Sequence, residues 1–176
     1  MNIEDSIRVG IRRSLDDEPG AVLEHIAAQH DVSGAEVIAS LPEGQAMTLA
    51  GDRFEEVMLE IAEWGNVTFL VHNEDLVLEA RGTVPKGSTA HGYYNLHGRP
   101  IGGHLRVANC GSISFVSRKL FDNDTHSVQF LNKDGGWMFK IYLGRDEERN
   151  LIPEQIEKFT ETRNRLATAS SVKQGE

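Results

Sequence analysis

The sequence lacks the features that define several large classes of protein. Its 176 residues contain one cysteine, Cys110, so no internal disulfide can form, as is typical of a reducing cytoplasm. It has no CxxC pair and no HExxH helix, which excludes the common zinc sites. No apolar run approaches the roughly 18 residues of a transmembrane helix, and the first residues show no secretion signal. We therefore expect a single cytoplasmic domain, residues 1–176, without membrane insertion.

Basic residues are scarce in the first third of the chain. Residues 1–66 carry 4 Lys/Arg against 14 Asp/Glu, whereas residues 67–143 carry 8 against 6. A strongly acidic surface repels nucleic acid, while the middle of the chain is suited to a small anionic ligand. Residues 23–41 have a helix-turn-helix rhythm, but the second helix offers no Lys or Arg to phosphates or guanines. We expect these helices to pack and no nucleic acid to bind, with DNA binding as the weakest alternative.

The spacing of apolar residues divides the chain into helical and extended parts. Residues 1–66 are predicted to be helical, with a capping box at Ser33 and Glu36. The middle of the chain, residues 67–144, alternates with a period of two and predicts a sheet, with strands at 67–72, 75–82, 103–109, 112–120, 125–132 and 136–144. Residues 151–168 return to helix, and residues 169–176 are predicted to be a frayed tail. This order predicts an α+β fold in which an extended antiparallel β-sheet is flanked by helices.

Histidine and tyrosine concentrate in one glycine-rich segment, residues 86–104 (KGSTAHGYYNLHGRPIGGH). The segment holds His91, His97 and His104 together with Tyr93 and Tyr94. Imidazole nitrogen and phenolate oxygen can both ligate iron, and glycine lets the backbone approach a flat, bulky ligand closely. The alternative is that the glycines serve turns and that the tyrosines are ordinary strand aromatics.

Strand alternation assigns the candidate side chains to faces. Within residues 103–109, His104 and Arg106 share one face, because Leu105 and Val107 take the core side. An imidazole on such a face, with apolar neighbours and a cation nearby, suits an iron porphyrin.

Two further strands follow the same rule. His72 ends the strand 67–72, on the face opposite Phe69. In residues 136–144 the alternation places Trp137, Phe139 and Ile141 on one face of the strand and Met138, Lys140 and Tyr142 on the other.

The sequence offers little support for a catalytic motif. No GxSxG elbow frames a serine, and GRPIGG precedes a strand and not a helix, so it is no phosphate loop. Cys110 is predicted to be a small buried apolar residue rather than a nucleophile.

Four segments in register resemble one known family. These are EWGNVTFLVH (63–72), HGYYNL (91–96), GGHLRVANC (102–110) and MFKIYLGRD (138–146), preceded by LPEG…GDRFEEV (41–57). Together they resemble the ChuX/HutX-type cytosolic haem-utilisation carrier proteins, over roughly residues 6–166.

The resemblance implies a haem iron utilisation protein-like fold and a homodimer. It implies a carrier or store that accepts imported haem and passes it to a downstream haem-accepting or haem-degrading protein. The alternative is a haem-degrading enzyme of the same superfamily. The sequence offers no electron-donor site such as a flavin or Fe–S motif, so we expect no enzyme.

The resemblance also implies the site residues. His72, Tyr93 and His104 are candidate iron ligands, with His104 first, while His91 and His97 are weaker candidates. Face alternation and charge add three predicted partners for the haem propionates, which are Arg106, Lys140 and Arg118.

Overall fold

A six-stranded antiparallel sheet forms the centre of the fold. The structure is a computed structural model that describes residues 3–173. The helices are α1 (Ile3–Asp17), α2 (Leu23–His30), α3 (Gly34–Ala39), α4 (Phe54–Ile61) and α5 (Pro153–Lys173). The strands are β1 (Ala46–Ala50), β2 (Asn66–His72), β3 (Val77–Thr83), β4 (Ser88–Ala90), β5 (Tyr93–Leu96), β6 (Gly103–Leu105), β7 (Cys110–Leu120), β8 (Asn123–Asn132) and β9 (Trp137–Tyr142). The large sheet has the order β1-β7-β8-β9-β2-β3, and a small second sheet has the order β4-β5-β6.

One face of the large sheet carries the main hydrophobic core. Val128 lies in register with Phe115 on β7 and with Ile141 on β9, so their side chains emerge on the same side. Phe54 of α4 joins the layers, because its ring meets Phe130 at 5.2 Å and Tyr94 of the small sheet at 5.7 Å. The small sheet and the helices α4 and α5 therefore cover this face.

The opposite face of the large sheet is partly polar and is covered at one end by α1, α2 and α3. Ser114, Gln129 and Lys140 lie in register across β7, β8 and β9, and all three are buried. A second apolar cluster holds the three helices against this face, and it includes Ile11, Ile26, Val37, Ile38 and Leu131. The predicted α+β fold with an antiparallel sheet flanked by helices is confirmed.

The predicted helix pair at residues 23–41 forms and has a packing role. Ser33 and Glu36 form the predicted capping box, with the Ser33 N–H donating to Glu36 Oε2 at 2.8 Å and the Glu36 N–H to Ser33 Oγ at 3.3 Å. Gly34 lies so close to Trp137 that a Cβ there would be 2.8 Å from the indole. The start of α3 is thus pressed against β9. Within residues 3–173, no helix has both the length and the apolar character needed to cross a bilayer.

Three predicted boundaries were wrong. The stretch 1–66, predicted to be helical, contains β1, which pairs with β7 from Ala46↔Val116 to Ala50↔Ser112. The strand predicted at 103–109 ends at Leu105 and is followed by a single 3-10 turn, Val107–Asn109, where the chain crosses to the large sheet. The tail predicted to fray from residue 169 continues as helix to Lys173, and residues 174–176 lie outside the described part of the chain.

The predicted faces of β9 were also partly wrong, because a β-bulge interrupts the alternation. Phe130 pairs with Phe139, but Leu131 pairs with Trp137, which leaves Met138 as an extra residue. Trp137 therefore emerges on the side of Lys140, whose Nζ lies 4.7 Å from the centre of the indole.

Candidate functional site

The outer face of the small sheet brings together three of the predicted site residues. The β4–β5 hairpin turns through His91 and Gly92, both at positive φ (54° and 80°), the geometry of a type I′ turn. This turn starts β5 at Tyr93, and β5 then pairs with β6 through Asn95↔His104.

Side chains on this outer face contact one another directly. The rings of Tyr93 and His104 meet edge-on with centroids 6.0 Å apart, and the Arg106 guanidinium lies 5.2 Å from the centre of the Tyr93 ring. His104 Nδ1 lies 2.7 Å from Asn95 Oδ1. His104 and Arg106 are exposed and Tyr93 is half-buried, so the cluster is open to a ligand from solvent.

The neighbouring Tyr94 has a structural role. It is fully buried, and its hydroxyl accepts a hydrogen bond from the Gly87 N–H at 3.0 Å. Burial raises the pKa of Tyr94. A Cβ on Gly87 would come within 2.3 Å of the Tyr94 ring, so this glycine is needed for close packing inside the protein. At Gly87 and Gly92, glycine therefore serves packing and turns.

His72 lies in a different cluster, on the opposite face of the large sheet. Its Nδ1 is 3.3 Å from Glu24 Oε1, and Lys140 Nζ is 2.6 Å from the same oxygen. The rings of His25 and His72 meet edge-on with centroids 6.1 Å apart. These four side chains line a cavity of about 270 Å³ between α2 and the sheet.

Lys140 and Arg118 do not accompany His104. Lys140 is buried and paired with Glu24; burial lowers the pKa of Lys140, against the opposing effect of the carboxylate. Arg118 donates to the carbonyl oxygens of Ala21 at 2.9 Å and Pro19 at 2.7 Å, which ties the α1–α2 connection to β7. Both cations have partners within the protein, on the side of the sheet away from the small sheet.

The predicted site thus divides into two within one chain. Tyr93, His104 and Arg106 come together, whereas His72 lies with Lys140 on the other side of the sheet. His91 is in the hairpin turn and His97 is exposed after β5, and neither joins a cluster of candidate ligands.

Sequence reasoning missed three residues of these clusters, which are Asn95, Glu24 and His25. Asn95 had a usable signal, since it stands two residues from Tyr93 on the same strand face. Glu24 had no such signal in the sequence, because α2 contacts β2 and β9, which lie far from it along the chain.

Cys110 behaves as the sequence predicts. It is buried, and burial raises the pKa of its thiol to about 11, which keeps it protonated and unreactive.

The donor set on the small sheet fits haem better than a bare metal ion. Within residues 3–173 no group of three or more His, Cys, Asp or Glu side chains is placed to hold a metal ion. Imidazole nitrogen and phenolate oxygen are donors that bind haem iron, and His104 and Tyr93 would supply them here. Arg106 beside them offers a cation for a propionate.

Comparison with known proteins agrees with this chemistry. The family model for haem utilisation ChuX/HutX matches residues 47–162. The intracellular haem transport protein HutX of Vibrio cholerae serotype O1 is 33% identical over 157 residues, covering 88% of this chain and 81% of HutX. The structure of the haem-binding protein ChuX is 40% identical, covers 89% of this chain and 98% of that chain, and superposes with a TM-score of 0.81.

A more distant match shows the fold alone. The Escherichia coli haem oxygenase ChuS is 14% identical with a TM-score of 0.70, and the match covers 84% of this chain but 47% of ChuS. The chain belongs to the haem utilisation ChuX/HutX family.

Proposed function

We propose that this protein binds haem inside the cell and carries it to a second protein without degrading it. One observation carries the proposal: the small sheet presents His104, Tyr93 and Arg106 together on an open face. The names of two relatives support it, since HutX is an intracellular haem transport protein and ChuX a haem-binding protein.

In the proposed site each side chain has a separate task. His104 supplies an imidazole nitrogen to the iron, and Tyr93 supplies either a phenolate oxygen or a wall for the porphyrin. Arg106 pairs with a propionate. His72 remains a second candidate ligand on the strength of the family resemblance, although in this chain it contacts Glu24. Lys140 and Arg118 are left out of the propionate site, since Glu24 and two backbone carbonyls already hold them.

Titration with ferric haem, followed at the Soret band, tests the proposal. We expect a stoichiometric spectral change with the unaltered protein and a shifted Soret maximum with weaker binding for His104→Ala. His97→Ala is the matched control, because this exposed histidine lies in the same segment outside the cluster. Absence of any stoichiometric change in the unaltered protein would refute haem binding, and an unaltered spectrum and affinity for His104→Ala would remove His104 from the site.

The alternative function is haem degradation. A carrier releases intact haem, so we expect the loaded protein to pass haem to an acceptor such as apomyoglobin and to yield no bile pigment with ascorbate. Repeated turnover of haem to bile pigment would establish the enzyme instead.

The proposal includes a homodimer. β3 is an edge strand of the large sheet, and Val77 and Leu78 on it are 58% and 56% exposed. Exposed apolar side chains on an unpaired edge are typical of a surface that a second chain covers. We expect light scattering to give the mass of a dimer, and Val77→Lys to give a monomer. Val9→Lys, at an exposed valine on α1, should leave the dimer intact; a monomeric unaltered protein would refute this part.

A further inference from the structure

Asn95 occupies the centre of the small sheet, between the two candidate ligands. It stands two residues after Tyr93 on β5, so both side chains point to the outer face. Across the sheet it pairs with Ser88 on β4 and with His104 on β6. This position lets one amide side chain contact all three strands.

The orientation of the Asn95 amide follows from its partners. Its Nδ2 lies 3.2 Å from Ser88 O, 3.2 Å from Ala90 O and 3.1 Å from Tyr93 O. Carbonyl oxygens only accept hydrogen bonds, so the NH₂ group must face them and Oδ1 must face the other way. That oxygen lies 2.7 Å from His104 Nδ1.

The amide orientation in turn determines the tautomer of His104. Asn95 Oδ1 can only accept, so the short contact requires a proton on His104 Nδ1, which donates to Oδ1. In the neutral ring the lone pair then belongs to Nε2, the nitrogen that remains free to ligate iron. The opposite tautomer would carry its proton on Nε2 and could not ligate through that atom.

Two other histidines show how specific this arrangement is. His30 contacts the Ser14 hydroxyl at 2.9 Å, and His126 contacts the Ser117 hydroxyl at 2.7 Å. A hydroxyl donates or accepts, so neither contact selects a tautomer.

We infer that Asn95 is a positioning residue for haem: it holds His104 as the Nδ1–H tautomer with Nε2 directed to the iron, while its NH₂ group donates to the backbone carbonyl of Tyr93. The inference rests on the proposed function, because it assigns a task within the same site. Hydrogen bonding to the remote nitrogen of a ligating histidine orients the ring and raises its basicity.

The first experiment needs no haem. Long-range ¹⁵N–¹H NMR of the haem-free protein distinguishes the two tautomers of His104, with His104→Gln identifying its signals. We expect the Nδ1–H form in the unaltered protein and in Asn95→Asp, which keeps an acceptor oxygen, and loss of that preference in Asn95→Leu. An Nε2–H tautomer in the unaltered protein would overturn the inference.

The second experiment measures the consequence for haem. Asn95→Leu should weaken ferric haem binding by roughly 10–100-fold, the usual effect of losing a hydrogen bond behind a metal-ligating histidine. Asn95→Asp should bind haem more tightly than Asn95→Leu and have a lower ferric/ferrous reduction potential than the unaltered protein, because a carboxylate makes the imidazole a stronger donor.

Thr89→Val controls for mere stabilisation of the hairpin. Thr89 Oγ1 donates to Glu55 Oε2 at 3.1 Å and joins β4 to α4 without touching His104. We expect unaltered haem affinity and potential for this variant. If Thr89→Val or Asn95→Asp weakens haem binding as much as Asn95→Leu, Asn95 merely fastens the hairpin and the inference is wrong.

The outcomes separate the inference from the proposed function. Normal haem binding by the unaltered protein, with Asn95→Leu binding equally well, overturns only the positioning role. No haem binding by the unaltered protein overturns the proposed function and the haem role of Asn95 together.

Discussion

Two adjacent tyrosines show how single residues in this protein acquire different tasks. Tyr93 points to the open face beside His104, while Tyr94 is fully buried against Phe54. The difference follows from strand geometry, since successive side chains point to opposite faces.

Phenylalanine substitution separates the two tyrosines. Tyr93→Phe should remove any phenolate charge-transfer band from the ferric haem complex and leave the free energy of unfolding nearly unchanged. Tyr94→Phe should leave that spectrum unaltered but lower the free energy of unfolding by about 0.5–1.5 kcal/mol, because the Gly87 N–H loses its acceptor. Absorption spectra and urea unfolding measure the two effects. If the unaltered complex lacks a charge-transfer band, Tyr93 is a wall residue and not a ligand.

His126 on β8 couples stability to pH. The ring lies between the Ser117 hydroxyl and Phe159, and burial lowers the pKa of His126, with Asp124 raising it and Arg163 lowering it further. The unfolded chain, with a histidine pKa of about 6.5, therefore binds the proton first as the pH falls. His126 therefore makes the protein more sensitive to acid. Its effect on the free energy of unfolding is absent above the unfolded-chain pKa of about 6.5 and becomes destabilising as the pH falls below that value.

Replacing His126 tests whether this histidine lowers the free energy of unfolding as the pH falls. We expect the free energy of unfolding of His126→Gln to fall less between about pH 7 and 5.5 than that of the unaltered protein. Urea unfolding at both pH values measures the difference, with His97→Gln as the exposed control. An equal or steeper loss in His126→Gln would contradict the assignment.

At the scale of elements, α2 is attached to the sheet by apolar packing and by one ion pair. Glu24 and Lys140 have side chains that are only 13% and 5% exposed, with 2.6 Å between Glu24 Oε1 and Lys140 Nζ. Removing one member of such a pair leaves the other charge buried and uncompensated.

Substitution of Glu24 therefore has a large expected effect. Glu24→Gln should lower the free energy of unfolding by about 3–5 kcal/mol, whereas the double change Glu24→Leu with Lys140→Met should recover most of it. Glu18→Gln, at an exposed carboxylate, is the control and should have little effect. Guanidinium unfolding gives all four values. A loss under 1 kcal/mol would mean that solvent reaches Lys140 and compensates its charge.

At the scale of the whole molecule, Phe54 joins the two sheets into one core. Its fully buried ring contacts Tyr94 of the small sheet and both Phe130 and Phe139 of the large sheet. The candidate site on the small sheet is therefore supported by the main core.

Truncation of Phe54 tests this support. Phe54→Ala should lower the free energy of unfolding by about 3–5 kcal/mol and should also weaken haem binding, because it loosens the inner face of the small sheet. Leu59→Ala, at a partly exposed position on the same helix, is the matched control. Urea unfolding and Soret titration measure both; a large loss of stability with unaltered haem affinity would show that the small sheet keeps its form without Phe54.

The sequence by itself determined the properties that depend on residues close together in the chain. Periodicity predicted most helices and strands, the capping box at Ser33, and the shared face of His104 and Arg106, because backbone geometry relates residues a few positions apart. The family resemblance added the likeness in fold and the ligand candidates.

Tertiary structure decided what depends on pairing between distant segments. The bulge that moves Trp137 to the side of Lys140, the pairing of β1 with β7, and the separation of His72 from His104 all follow from cross-strand register and layer packing. The contact between Glu24 and Lys140 requires that α2 packs on the large sheet. The contacts of Asn95 with the Ser88 carbonyl and with His104 require that β4, β5 and β6 align. Such contacts are selected by the free energy of burying the whole chain, which no local pattern encodes.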